Sequence, residues 1–255
     1  MNLSKDLLLK SLRAVLFGKK LYASDFAEAD WKSIFQLADE QTVSALLLDG
    51  MSLLPSECIT IPLGDKLKRI ATMQRIEQIN RLHRKVIVKI DQALKSEGIP
   101  VVFMKGQTTA LRYPNPLHRT PGDIDFVVNP KDFKKAMEVL EKIGKVDHDL
   151  VHEHHGMAWV DGVTVEPHYK VHNYQSPSTD YAMQEMFASV FPSELSSADM
   201  DGYAVPVFPP TFESVFLISH MVNHVYEEGL GLRQVIDYAM FLSSCADKID
   251  WLQHH

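Results

Sequence analysis

Apolar positions recur at helical spacing through the first hundred residues. Leu7, Leu8, Leu12, Val15 and Leu16 form one stripe, Trp31, Ile34, Phe35 and Ala38 a second, and Val43, Leu46 and Leu47 a third. Pro55 and Pro62 punctuate a loop. From about Asp65 to Glu97 the spacing predicts one long helix, with Ile70, Met73, Ile76, Ile79, Leu82, Val86, Ile90 and Leu94 on one face. Arg69, Arg75, Arg81 and Arg84 fall outside that stripe and read as a solvated face. Gly98 and Pro100 stop the helix.

The period then changes. VVFM (101–104) is a short strand, KGQTTALRY a turn and a short helix, and DIDFVV (123–128) a second strand. Asn129 and Pro130 supply an N-cap and first-turn proline for a helix reaching Ile143, where Gly144 ends it. MAWV and VTVEPHY flank Asp161-Gly162, a pair suited to a type I′ hairpin turn. Helical periodicity returns from Phe212 to Tyr226 and from Leu232 to Ser244. These elements predict an α+β chain: an N-terminal helical region over 1–98, a small mixed sheet with helices over 99–208, and a C-terminal helical region over 209–255.

Composition narrows the classes of function. The 255 residues carry a net charge of −7, so no overall positive field draws the chain to nucleic acid or an anionic membrane. Cys58 and Cys245 have no metal-like spacing and fit a reducing compartment. The N-terminus lacks the uninterrupted apolar run of a signal peptide, and nothing in the sequence is long and apolar enough to span a bilayer. A cytoplasmic location is the expectation.

Chemistry concentrates in the sheet unit. Side chains at i and i+2 of a strand share a face, so Asp123 and Asp125 project together while Ile124, Phe126 and Val128 face the other way. Two adjacent anions repel unless a cation lies between them, and Mg²⁺ prefers such oxygen ligands. A solvent-exposed strand end carries the same D-x-D pattern. The hairpin adds Glu166, which shares a face with Thr164 and His168. A third carboxylate from a neighbouring strand is what a two-ion phosphoryl-transfer site needs. Lys105-Gly106 closes the first strand and opens a helix, a place for phosphate, with Arg119 as a further cation.

FMKGQTTALRYPNPLHRTPGDIDFVV, with VEPHY and HMVNHVYEEGLGLRQVIDYAMFL downstream, resembles the polymerase-β-like nucleotidyltransferase superfamily, and within it the bacterial nucleotidyltransferase family proteins of uncharacterised function. The helical DWKSIFQLADEQTVSALLLDG is similar to that group's leading region, so the resemblance covers nearly the whole chain. It implies a polymerase-β-like core and transfer of a nucleoside monophosphate from an NTP, with Mg²⁺, to an acceptor such as a small molecule or a protein hydroxyl. Asp123, Asp125 and Glu166 take the catalytic and metal positions. Lys105, Gly106, Gln107, Arg119, His168, His220, His224 and Arg233 take the nucleotide-binding ones. Gln107 stands where the superfamily has serine or glycine, and Glu166 where it more commonly has aspartate. A catalytically inactive nucleotide-binding or protein-interaction module on the same fold is the alternative. The negative charge counts against a long nucleic-acid acceptor.

Of the 12 histidines, His152, His154 and His155 cluster before the hairpin, and His220 and His224 lie four apart on one helix face. They fit three roles: hydrogen-bonded structural histidines, cleft groups that touch phosphate or acceptor or move a proton, or zinc ligands. Arg233 and Asp237, also four apart, fit a helix salt bridge as well as ligand contacts.

Overall fold

The computed structural model describes residues 3–149, 155–171, 176–227 and 229–251. His152 and His154 lie outside the described residues. The predicted N-terminal helices form as α1 (Leu3–Phe17), α2 (Trp31–Glu40), α3 (Ser44–Ser52) and α4 (Leu63–Ser96). Asp30 caps α2, its carboxylate accepting from the Ser33 amide. Leu7, Leu12, Ile34, Phe35, Leu46 and Leu47 interlock in one apolar cluster.

The buried face of α4 differs from the predicted stripe. Ile70 and Leu82 are exposed, whereas Asn80, His83 and Arg84 are buried beside Ile76, Val86, Ile90 and Leu94. Arg84, expected in solvent, is enclosed: its Nη1 donates to Asp201 Oδ1 at 2.7 Å and its Nε to Gln107 Oε1 at 3.4 Å. Apolar periodicity cannot reveal a polar residue that is buried because a distant partner satisfies it.

Among the described residues the sheet is mixed, with seven strands in the order β3-β4-β5-β2-β1-β7-β6. The strands are β1 (Val101–Met104), β2 (Ile124–Val128), β3 (Lys145–Asp147), β4 (Met157–Val160), β5 (Val163–His168), β6 (Ser196–Met200) and β7 (Tyr203–Val207). The short helix α5 (Gly106–Ala110) follows β1, and α6 (Phe133–Ile143) follows β2 after a tight turn at Pro130–Asp132. Asp161 and Gly162 both take positive φ (52° and 81°), the type I′ geometry foreseen for the β4–β5 hairpin. The β6–β7 hairpin, β3 and α7 (Pro177–Val190) add to the predicted elements, and α8 (Pro210–Glu227) and α9 (Leu232–Cys245) follow the sheet.

Each face of the sheet is covered. Phe103, Ile124, Phe126, Val128 and Val165 pack against α4 and α6. On the opposite face, Val102, Met104 and Val127 pack with aromatic residues of α7, α8 and α9, including Phe187, Phe212, Phe216 and Phe241. Asp125 shares a face with Val127 and therefore looks toward α8 and α9. Helix α9 also reaches the N-terminal cluster through Ile236 and Met240.

Candidate active site

Strand register assembles the carboxylates. β2 and β5 run parallel with Asp125 opposite Glu166, and Asp123 immediately precedes β2. One oxygen from each of Asp123, Asp125 and Glu166 lies within 4.8 Å of the others. β1 runs antiparallel to β2 with Met104 opposite Asp125, which brings the following Lys105 beside the acids. The Lys105 ammonium stands 3.2 Å from Asp125 Oδ1. His168 Nε2 is 3.1 Å from the same oxygen and 3.8 Å from Glu166 Oε2.

The turn that carries Lys105 is strained. Lys105 has φ 53° and ψ −156°, a region that side-chain-bearing residues rarely occupy and that costs about 1–3 kcal/mol. Gly106 follows at φ +48°, and a Cβ there would meet the Asp123 carbonyl at 3.5 Å. The backbone thus approaches Asp123 closely where the sequence has glycine.

The three acids have unequal proton affinities. Burial would raise the Asp125 carboxyl, but the Lys105 ammonium and His168 hold it well below the usual carboxylate range. Glu166 is pushed up to about 8 by burial and by the charges of Asp125 and Asp123. Asp123 is raised, first by Asp125 and then by burial. Asp125 is therefore the fixed anion, and the other two crowd against it.

These groups form one wall of a cleft of about 410 Å³, and α8 and α9 form the other. Lys105, Gly106, Arg119, Asp123, Asp125, His155, Glu166, His168, His220, His224 and Arg233 all line it. Gln107 does not. Its side chain is buried on the opposite side of the turn, with Nε2 donating to Asn80 Oδ1 at 2.5 Å and Oε1 accepting from Arg84. A contact between the Gln107 side chain and a ligand in this cleft is replaced by a contact with α4.

The Arg119 guanidinium makes a two-point pair with Asp237, Nε to Oδ1 and Nη2 to Oδ2, both at 2.8 Å. Tyr113 Oη donates to the same Asp237 at 2.7 Å. Arg233 is consequently not the salt-bridge partner of Asp237 that helix spacing suggested. Its Nη1 approaches the Thr120 carbonyl at 3.5 Å, and among the described residues its buried Nε has no hydrogen-bond partner. His220 and His224 meet Nε2 to Nε2 at 3.0 Å. Leu217, Met221, Gln234 and Tyr238 also line the cleft. Helical spacing from His220, His224 and Asp237 would have pointed to Leu217, Met221 and Gln234, each three residues before one of them; Tyr238 has no such relation to the four. Gly122 carries no such signal.

A mixed sheet that presents three clustered carboxylates beside a glycine turn, facing a helical wall that carries Arg233, defines a nucleotidyltransferase-type α/β protein. Residues 27–254 match the family model described as uncharacterised nucleotidyltransferase, and the chain belongs to that family. It is a nucleotidyltransferase. No curated protein matches the chain by sequence. Among solved structures it is similar to the antibiotic-resistance factor ANT(2'')-Ia, at 14% identity over 68% of this chain and 90% of that one, with a TM-score of 0.47. The same protein in complex with adenylyl-2''-tobramycin aligns with 95% of its length covered. An antigenic nucleotidyltransferase-like protein from Paracoccidioides brasiliensis aligns at 15% identity over 63% of this chain and 75% of that one, with a TM-score of 0.43. Among the described residues no helix is long and apolar enough to cross a membrane.

Proposed function

We propose that this nucleotidyltransferase binds an NTP with Mg²⁺ in the cleft and transfers its nucleoside monophosphate to a hydroxyl of a small molecule or a protein. The observation that carries the reading is the convergence of Asp123, Asp125 and Glu166 within 4.8 Å, with Asp123 and Glu166 driven toward protonation by the crowding. A hard divalent cation relieves that crowding, and an all-carboxylate donor set suits Mg²⁺. When bound, the ion supplies charge neutralisation and alignment for the triphosphate.

The protein's own groups provide the rest. Arg233, a cleft cation that makes no ion pair among the described residues, is assigned to phosphate oxygens, and so is the Lys105 ammonium. The Gly106 turn lets backbone approach the same phosphates. Arg119, tied to Asp237, is assigned a positioning role that holds α9, and with it Arg233, against the β2 entrance. In the transfer, the acceptor oxygen bonds to the α-phosphorus and the bond from that phosphorus to the bridging oxygen breaks, releasing pyrophosphate. The hydroxyl proton moves to a base in the cleft. The His220–His224 pair is the candidate, since both imidazoles line the cleft and meet Nε2 to Nε2.

Calorimetry with each NTP, with and without Mg²⁺, together with pyrophosphate release over an acceptor panel, tests the reading. The Asp123→Asn/Asp125→Asn double variant is expected to lose Mg²⁺-dependent NTP binding. Unchanged nucleotide affinity in that variant refutes the assignment. Tight binding without pyrophosphate release across the panel favours a nucleotide-binding module instead.

A further inference from the structure

The carboxylate cluster has an imidazole neighbour that its assigned chemistry does not use. His155 forms an antiparallel bridge with His168, and the Gly156 amide donates to the Pro167 carbonyl at 2.9 Å. These backbone contacts pin the segment before β4 against the end of β5. The two imidazole rings consequently sit 5.0 Å apart, inclined by 54°. One ligating atom from each of His155, Glu166 and His168 lies within 4.8 Å of the other two.

This donor set differs in kind from the neighbouring one. Asp123, Asp125 and Glu166 offer only oxygen, the preference of a hard ion. Two imidazoles and one carboxylate suit a borderline first-row ion, for which His₂Glu sets leave open positions for water or substrate. Metal–ligand bonds of about 2.0–2.2 Å hold tetrahedral donors roughly 3.5 Å apart, so the three side chains need shift by only about an ångström to close on an ion. His168 is almost completely buried and held by Asp125, which leaves His155 and Glu166 as the groups that adjust.

We propose that His155, Glu166 and His168 form a second metal position, selective for a borderline divalent ion such as Co²⁺ or Zn²⁺, and that Glu166 is shared between it and the Asp123–Asp125 position. The cleft then holds two chemically distinct cations rather than two equivalent Mg²⁺ ions. The proposal deepens the nucleotidyltransferase reading and depends on it only through Glu166.

The test uses Co²⁺ as the probe. The 255-residue chain, stripped with a chelator, is titrated with Co²⁺ in excess Mg²⁺ and followed by proton NMR, in which ligated imidazoles give hyperfine-shifted ring resonances. Two shifted imidazoles are expected, one of them absent in His155→Ala. The Co²⁺ affinity of that variant is expected to fall at least the ~10-fold that loss of even an outer partner of a metal ligand costs. Absence of shifted imidazoles in the unmodified protein overturns the proposal without reference to any variant, as does an unchanged Co²⁺ affinity in His155→Ala. Mg²⁺-dependent NTP binding, measured separately, keeps the two readings apart. NTP bound without an imidazole-ligated ion defeats this proposal alone. An imidazole-ligated ion without NTP binding defeats the nucleotide reading and leaves the metal site standing.

Discussion

Glu166 and Asp125 respond oppositely to pH, although both belong to one cluster. The Glu166 carboxyl rises from 4.5 to about 8 on folding, so the folded chain holds a proton there that the unfolded chain releases. That contribution is complete below about pH 4.5 and is lost as pH rises through about 8. Chelator-treated protein is therefore expected to lose melting temperature between those limits, and Mg²⁺ added near pH 8 to restore it. Glu166→Gln should flatten the slope and raise the metal-free melting temperature at pH 8 by a few degrees, each kcal/mol being worth roughly 2–4 °C at this chain length. Asp125→Asn should act in the other direction. It strips the Lys105 ammonium and His168 of their shared anion, and breaking such a buried pair costs about 3–5 kcal/mol. Thermal melts of the two variants across pH 5–9 check both signs. The side-by-side projection of Asp123 and Asp125 was legible in the sequence because strand pleat fixes i and i+2. Their inequality was not, because it depends on the antiparallel register that carries Lys105 to within 3.2 Å of Asp125.

The long helix α4 supports the Lys105-Gly106 turn through polar contacts rather than its apolar stripe alone. Asn80 Nδ2 donates to the carbonyls of Leu117 and Arg119 at 2.7 and 2.8 Å, while its Oδ1 accepts from Gln107. Arg84 continues the chain from Gln107 to Asp201 in the β6–β7 turn. The strained Lys105-Gly106 segment and the loop entering β2 are thus tied to one helix face. Gln107→Ala is expected to destabilise the protein by about 1–3 kcal/mol, the cost of leaving buried partners unsatisfied. Mg²⁺-dependent NTP affinity should fall less than the melting temperature implies at temperatures where the variant stays folded. A large affinity loss with an unchanged melt would return Gln107 to the cleft. The helix itself, its stop at Gly98 and the Asp161-Gly162 turn were legible because each rests on local backbone chemistry. The β6–β7 hairpin was not foreseen: SSADM and YAVPV are short, and β7 gains its place only by pairing with β1, about a hundred residues earlier.

At the scale of the molecule, the sequence divides into helical, mixed and helical regions, yet two helices cross those divisions. The C-terminal half of α4 belongs to the sheet's core through Val86, Ile87, Ile90 and Leu94. Helix α9 places Ile236 and Met240 among the N-terminal helices and Phe241 and Cys245 among the aromatic residues under the sheet. At that junction Asp237 accepts from both Arg119 and Tyr113, so the loop before β2 and α9 share one buried ion pair. Such coupling argues for a single cooperative unfolding transition, for which different probes report the same midpoint. Trp31 reports on the N-terminal cluster, where it stacks 5.7 Å from Phe26, and Trp159 reports on β4. In variants with one of these tryptophans retained and the others changed to phenylalanine, urea midpoints should coincide. Asp237→Asn should lower both midpoints together by an amount equivalent to about 3–5 kcal/mol, since it leaves Arg119 buried without its counter-charge. A Trp31 midpoint that separates from the Trp159 midpoint would make the N-terminal helices an independent unit and confine the influence of α9 to the cleft wall.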